Sequence, residues 1–242
     1  MRTLVTVLLL LLSGASEAGL ISGLLYSTGD RLRSVGFDGS NFTGALTELE
    51  SLSPEWTALS YDAASGQLFY AIDGRLRVVG FDGTQFTGAL TELEQISPNW
   101  TALSYDVANS LMYYAIGDRL RVVGFDGTQF TGALTDLEVI SPDWTAMSYD
   151  VDAGLMYYAI GDRLRVVGFD GQHFTGPLTE LESLSPEWTG MSLLFAATPP
   201  VGVPEPATVA LVALAVTVGC RSRRRVGRIK RHFGSSTTGG LA

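Results

Sequence analysis

The stretch RLRVVGFDGTQFTGALT occurs twice without a change, at Arg75–Thr91 and at Arg119–Thr135. Two close variants begin at Arg31 and Arg163. The arginines alternate with apolar residues, which is typical of a β-strand with two different faces. The Asp-Gly pair that follows is typical of a turn between strands. The stretch therefore predicts a sheet-building unit that the chain repeats.

Aromatic residues recur around this stretch at a fixed spacing of 44 residues. The recurring positions are Phe37, Phe81, Phe125 and Phe169, then Trp56, Trp100, Trp144 and Trp188, and finally Tyr26, Tyr70, Tyr114 and Tyr158. Four copies at one spacing indicate a repeat protein, and the length of the unit suits a four-stranded β-propeller blade.

One unit contains four predicted strands. WTALSYD (Trp100–Asp106) follows the turn formers at 97–99, and LMYYAI (Leu111–Ile116) and RLRVVGF (Arg119–Phe125) come next. Asp126-Gly127 predicts a tight hairpin, whose two central residues both need a positive φ. The segment after this turn suits a strand or a helical turn.

This order of motifs, WTALSYD, then LxYYA, then RLRVVGFDG, resembles the YWTD-type propeller repeat of the LDL-receptor class. The resemblance covers Leu24–Phe195 and implies an all-β propeller. Familiar propellers of that class have six blades, whereas this chain has four units.

The two ends of the repeat region are complementary. The chain enters at Leu24-Leu25-Tyr26, which is the second strand of a unit, and finishes with WTGMSLLF (Trp188–Phe195), which is the first strand of a unit. A closed ring of four blades would use the last strand to complete the first blade, and would leave no unprotected sheet edge between its ends. An open stack, or two chains forming a larger ring, is the alternative.

The N-terminus has the composition of a secretory signal. Residues 1–18 contain one Arg, the apolar run Leu4–Leu12, and Ser16-Glu17-Ala18 as a cleavage site, so Gly19 is the predicted start of the mature chain.

The C-terminal segment contains three parts in order. Pro204, Glu205 and Pro206 come first, Ala207–Cys220 follows without a charge, and Arg221, Arg223, Arg224 and Arg225 come last. A helix over the uncharged stretch would be about 21 Å long and would keep the arginines cytoplasmic. Its shortness means that flanking residues or snorkelling arginines must help it to span.

This arrangement resembles the PEP-CTERM protein-sorting domain. The resemblance implies a Gram-negative-type bacterium in which an exosortase removes the tail of an inner-membrane-anchored precursor. The released protein then goes to the cell surface or the exopolysaccharide matrix. An ordinary tail anchor is the alternative. The predicted organisation is a signal peptide at 1–18, a four-repeat domain at 19–198, a Pro-rich linker at 199–206, a transmembrane helix at 207–220 and a basic cytoplasmic tail at 221–242.

Composition restricts the possible functions. Residues 19–203 contain eight Arg, no Lys and 23 Asp plus Glu, a net charge of −15. Such a domain is repelled by phosphate backbones, so the sequence argues against nucleic-acid binding. Cys220 is the only cysteine of the chain, which excludes an internal disulfide framework.

The most specific candidate site is a set of carboxylates. Asp62, Asp106 and Asp150 end the first strand of three units, and Leu194 takes the fourth position. If they converge at one mouth of a propeller they could hold Ca²⁺, which prefers several oxygen ligands. A metal-dependent hydrolase or lyase would be built on this site. The simpler interpretation is that each carboxylate caps the end of its own strand.

Other recurring residues have a structural and a functional interpretation. The Asp-Gly pairs suit turns more than catalysis. The paired arginines suit cross-strand pairing with Glu92 or Glu94 more than binding of anionic polysaccharide. The tryptophans suit packing between blades more than sugar stacking. The recurring serines lack a base, because His173 is the only histidine of the repeat domain.

These observations predict a non-enzymatic surface or matrix protein that binds polysaccharide or surface proteins. Near-identical repeats create equivalent surfaces, which suits a scaffold or a multivalent binder.

Overall fold

The computed structural model describes residues 20–53, 55–184 and 188–196. Within these residues the structure consists of β-strands and the loops between them. The strands are β1 (Ile21–Thr28), β2 (Arg31–Gly36), β3 (Thr47–Ser51), β4 (Ala58–Asp62), β5 (Gln67–Ile72), β6 (Arg75–Gly80), β7 (Thr91–Gln95), β8 (Trp100–Asp106), β9 (Leu111–Ile116), β10 (Arg119–Gly124), β11 (Thr135–Val139), β12 (Trp144–Asp150), β13 (Leu155–Ile160), β14 (Arg163–Gly168), β15 (Thr179–Ser183) and β16 (Trp188–Phe195).

These strands form four antiparallel sheets of four strands, which are the blades of a β-propeller. Blade 1 has the order β16-β1-β2-β3, blade 2 is β4 to β7, blade 3 is β8 to β11, and blade 4 is β12 to β15. The inner strands are therefore β16, β4, β8 and β12. The prediction of an all-β, four-bladed propeller is confirmed.

The ring closes through the C-terminal strand, as the sequence predicts. β16 pairs antiparallel with β1, and Tyr26 lies opposite Met191. Beyond the strands, the Ala196 N–H donates to the Leu20 carbonyl at 2.8 Å. The last described residues thus complete the blade that the first described residues begin. A closed ring buries the edges that an open stack would expose.

The hydrophobic core lies between the blades. One cluster joins Ala58 and Phe69 of blade 2 to Leu103, Met112 and Phe125 of blade 3. Equivalent clusters join blades 3 and 4, blades 4 and 1, and blades 1 and 2. The second strand of each blade is apolar on both faces because both faces pack against a neighbouring blade.

The Asp-Gly turn differs from its prediction. Gly127 has a φ of +93°, but Asp126 does not have a positive φ. Phe125 instead pairs with Phe130 in an isolated bridge, so four residues form the loop. The prediction of a two-residue hairpin whose two central residues both have a positive φ is therefore wrong. The Asp side chain supplies the hydrogen bonds that make the longer loop stable. The segment after it contains a strand, β11, and no helical turn.

No helix within residues 20–53, 55–184 or 188–196 has the length and apolarity that a membrane span requires. The predicted signal peptide, the Pro-Glu-Pro motif, the transmembrane helix and the arginine cluster all lie outside the described residues.

Candidate functional site

The Asp-Gly loops use their carboxylates locally. One oxygen of Asp126 accepts the backbone N–H groups of Thr128 at 2.8 Å and Gln129 at 2.9 Å, together with the Thr128 hydroxyl. These bonds favour the charged form and lower the pKa of Asp126 to about 2. Asp82 accepts the equivalent bonds from Thr84 and Gln85, and its pKa is also lowered to about 2. The structural interpretation of the Asp-Gly pairs is confirmed for these loops.

The carboxylates at the ends of the inner strands also bond within their own turns. Asp62 accepts the Ala64 N–H and the Ser65 hydroxyl. Asp106 accepts the backbone and side-chain N–H groups of Asn109. Each carboxylate thus caps the loop that follows its strand.

Asp150 accepts the Ala153 N–H at 3.1 Å in the same way, and burial raises the pKa of this carboxyl group. Across the described ranges, no three His, Cys, Asp or Glu side chains lie close enough together to hold a metal ion. The structure therefore does not gather Asp62, Asp106 and Asp150 into one metal-binding group. Calcium binding at these residues is the alternative that titration tests.

The paired arginines lie close to carboxylates of the outer strand or of the turn that precedes their own strand. Arg75 and Arg77 both contact Glu92, at 2.9 and 3.6 Å. Arg121 contacts Asp136 at 2.7 Å. The predicted cross-strand pairing is confirmed for Glu92. All eight arginines of the described residues have a carboxylate within 3.6 Å. The other carboxylates of the described residues therefore have no arginine partner.

The second glutamate of the outer strand has a different partner from the predicted one. Glu94 accepts the backbone N–H of Phe130 in the next blade at 3.2 Å. Glu50, Glu138 and Glu182 make the equivalent bond to the following blade. The prediction of an arginine partner for Glu94 is wrong, because Glu94 lies opposite Leu76 and the neighbouring blade brings a backbone donor to its side chain.

The recurring serines form a ring of hydrogen bonds around the axis. The hydroxyls of Ser60, Ser104, Ser148 and Ser192 accept the N–H groups of Tyr105, Tyr149, Leu193 and Tyr61, respectively, at 2.9 to 3.0 Å. Every bond joins one inner strand to the next, and all four serines are buried. Their recurrence is explained by blade assembly.

The tryptophans pack inside the ring. The Trp100 ring stacks on Tyr114 of the same blade, with centroids 3.9 Å apart and an interplanar angle of 9°. Trp100 also belongs to the core cluster that includes Ala58 and Phe69 of blade 2. The predicted role in packing between blades is confirmed. Since Trp100 is only 5% exposed, its faces are occupied by protein.

Among the residues that the structure describes, three crevices of one design lie where these tryptophan–tyrosine stacks meet the preceding blade. Each is lined by an Ile or Leu of the preceding blade and by the stacked Trp and Tyr. An Arg of the third strand of the blade, and a Phe and a Leu of the loop that follows this strand, complete the lining. Crevice 2/3 has Ile96, Trp100, Tyr114, Arg121, Phe130 and Leu134; crevice 3/4 has Ile140, Trp144, Tyr158, Arg165, Phe174 and Leu178; crevice 4/1 has Leu184, Trp188, Tyr26, Arg33, Phe42 and Leu46. Their volumes are about 240, 390 and 320 Å³ in that order.

The sequence reasoning missed the leucines at the mouths of these crevices. Leu46, Leu90, Leu134 and Leu178 recur at the 44-residue spacing, and each is 51–53% exposed. Their signal was present in the repeated Gly-Ala-Leu-Thr or Gly-Pro-Leu-Thr motif. An apolar residue in this motif is compatible with a buried position in a strand or in a helical turn. Only the packing shows that the leucine is exposed to solvent.

His173 lies beside a different cavity. That cavity has a volume of about 310 Å³ and is also lined by Asp136, Leu137 and Gln172. The His173 backbone N–H donates to Asp170 in the loop cap. This places His173 in an Asp-Gly loop, at the position that Gln129 holds in the preceding repeat.

No protein-family model matches this chain, and no curated protein matches it. Solved structures that are similar to it include the hemopexin fold protein from cow pea, with a TM-score of 0.48 and 9% identity over 69% of this chain and 90% of that chain. A plant lectin with two metal-binding sites from Cicer arietinum has a TM-score of 0.48 and 8% identity over 70% of this chain and 90% of that chain. A chain of a nidogen/laminin complex has a TM-score of 0.40 and 14% identity over 64% of this chain. The present chain spans 60% of that nidogen/laminin chain.

Proposed function

We propose that this protein is a non-enzymatic binding or scaffold module that acts outside the cell, through equivalent surfaces around a four-bladed ring. The observation that carries the proposal is the set of three crevices with one residue pattern, arranged around one rigid ring. A ring of similar sites suits a partner with several copies of one feature, because the second contact is then intramolecular.

The use of the recurring polar residues supports this function. The serines join inner strands, the second glutamates join outer strands to the next blade, and the arginines pair with carboxylates. These groups stabilise the ring, so their repetition is accounted for by assembly. Surfaces that repeat with the blades are then available for binding.

The sorting route is part of the proposal and is supported by the sequence of residues 203–225. An exosortase-type enzyme would remove the segment after Pro206 from an inner-membrane-anchored precursor. The protein would then reach the cell surface or extracellular matrix of a Gram-negative-type bacterium, where polysaccharide or surface proteins are its partners. The strand pairing of the ring ends at Phe195, so removal of residues beyond Pro206 leaves every described strand intact.

Two measurements test these statements separately. Mass spectrometry of the secreted protein is expected to show a chain that begins at Gly19 and lacks the residues after roughly Pro206; a full-length secreted chain contradicts the sorting proposal. Because the described sheets all lie within residues 20–196, the segment 19–198 is suitable for binding assays. It is expected to be retained by extracellular matrix from the producing cells, and failure to be retained contradicts the binding proposal.

A further inference from the structure

Crevice 3/4 differs from its equivalents at Val139. This residue occupies the place that Ser51, Gln95 and Ser183 hold in the other outer strands, and it is 64% exposed. Four residues later, Asp143 supplies a carboxylate that Glu55 and Glu187 supply in their own repeats, whereas crevice 2/3 has Asn99. Crevice 3/4 is thus the place where an exposed valine and this carboxylate occur together.

Val139 adds an exposed apolar side chain to the lining of the crevice. Val139, Trp144 and Leu178 all line it, and its volume of about 390 Å³ compares with about 240 Å³ for crevice 2/3 and about 320 Å³ for crevice 4/1. Val139 and Leu178 are both more than half exposed. An apolar side chain that binds here removes apolar surface of both partners from water.

The charges around crevice 3/4 are mainly negative. Arg165, which lines it, contacts Glu180 at 2.9 Å and is neutralised by that carboxylate. Asp143 is exposed and bonds only weakly to Ser141, whose hydroxyl lies 3.4 Å from one carboxylate oxygen. Glu138 accepts the N–H of Phe174, another lining residue. Both carboxylates lack a basic side chain within ion-pair distance among the described residues, and the surrounding domain is strongly acidic.

We propose that crevice 3/4 is a docking site for a polypeptide partner that inserts one apolar side chain against Val139 and Leu178 and places flanking Lys or Arg residues near Asp143 and Glu138. The apolar lining supplies affinity, and the uncompensated carboxylates select a basic sequence. This inference rests on the proposed binding function and adds the partner's chemistry. It makes one crevice of the ring distinct, so the scaffold has a defined orientation towards this partner.

The repeats provide the variants for a test. Val139→Gln installs the residue that Gln95 provides in the neighbouring blade, so the variant is expected to fold with an unchanged thermal midpoint. The reverse change, Gln95→Val combined with Asn99→Asp, gives crevice 2/3 the two residues that distinguish crevice 3/4. Leu178→Ser has Leu134→Ser as its matched control.

The probe is a capped synthetic peptide in which one leucine has two lysines on each side. Binding to the segment 19–198 is followed by NMR through the assigned indole N–H signals of Trp144 and Trp100. We expect the peptide to shift the Trp144 signal selectively. We expect Val139→Gln to weaken binding by about tenfold, since a buried apolar contact is lost. Leu178→Ser should weaken it similarly, whereas Leu134→Ser should have no effect. The double variant in crevice 2/3 should acquire a shift at Trp100.

Several results would overturn the inference. They are equal shifts at Trp100 and Trp144, equal binding of a peptide with serine in place of leucine, and equal binding of a peptide with glutamates in place of the lysines. Displacement of the peptide signal by matrix polysaccharide at Trp144 would also count against a polypeptide partner. Retention of the segment by the matrix, with an unchanged affinity for Val139→Gln, removes this inference and leaves the proposed function standing. Loss of matrix retention in the unaltered segment removes both.

Discussion

The hydrogen bond between Ser192 and Tyr61 offers the sharpest test of ring closure. The Ser192 hydroxyl lies on β16 and accepts the Tyr61 N–H of β4 at 3.0 Å. This bond joins the last strand of the chain to the first strand of blade 2, so it exists only in a closed ring. Ser192 is 3% exposed. Ser192→Ala therefore leaves a buried N–H group without its acceptor.

The expected cost follows from that buried donor. An unsatisfied buried N–H group costs about 1–3 kcal/mol of unfolding free energy. In a domain of this size, each kcal/mol corresponds to a fall in Tm of about 2–4 °C. Ser104→Ala removes the equivalent bond to Tyr149 inside the stack, and we expect the same loss. Ser40→Ala changes an exposed loop residue and should alter the unfolding free energy by less than about 0.5 kcal/mol.

Equilibrium urea unfolding of the segment 19–198, followed by tryptophan fluorescence and circular dichroism, measures all three variants. An open stack would show a loss for Ser104→Ala and none for Ser192→Ala. That pattern would refute the closed ring and the four inter-blade clusters with it. Equal losses at both serines agree with a ring in which each inner strand is bonded to the next.

Three further predictions concern other parts of the ring. Gly190→Ala introduces the residue that Ala102 provides at the equivalent position, yet it should lower Tm strongly. The reason is that the added Cβ would lie 2.7 Å from the Leu59 backbone nitrogen. An unchanged or raised Tm would show that β16 and β4 are farther apart than in the structure. Asp82→Asn should lower Tm at pH 7, since a depressed carboxyl pKa stabilises the fold while the group is charged. The difference should fade as the pH decreases from about 4 through the folded pKa of about 2; a difference at pH 2 as large as that at pH 7 would point to another cause. Calcium titration by calorimetry should show no stoichiometric uptake, and saturable uptake that Asp106→Asn abolishes would restore the calcium site.

Local features of the sequence were sufficient for most of the architecture. β8 and β9 have the predicted bounds, because each begins after turn formers and is rich in β-branched, aromatic and aliphatic residues. The 44-residue spacing set the number of blades. The repeat region begins with the second strand of a unit at Leu24 and ends with the first strand of a unit at Phe195. This arrangement predicted which strand completes blade 1, since a unit that is split between the two ends of the region can be completed only by joining them.

The candidate sites depended on long-range packing, which the repeat pattern does not reveal. Glu94 and Glu92 differ by two residues on one strand, yet the first bonds to the next blade and the second to arginines of its own blade. Asp106 was correctly placed at the end of an inner strand, but its oxygens face its own turn. The direction in which each carboxylate is satisfied depends on donors that arrive from distant segments or from the loop conformation.

Gly190 is a residue whose role only the packing explains. The other repeats have alanine at this position, and no positive φ requires a glycine there. The structure shows the reason: β16 approaches the backbone of β4 so closely that a Cβ would meet Leu59. Strand identity, blade number and the pairing of the chain's two ends were determined by the sequence, because they follow from local patterns and their period. The close seam, the serine ring and the distinct surface of crevice 3/4 were decided by the tertiary structure, because they depend on distances between residues that are far apart in the chain.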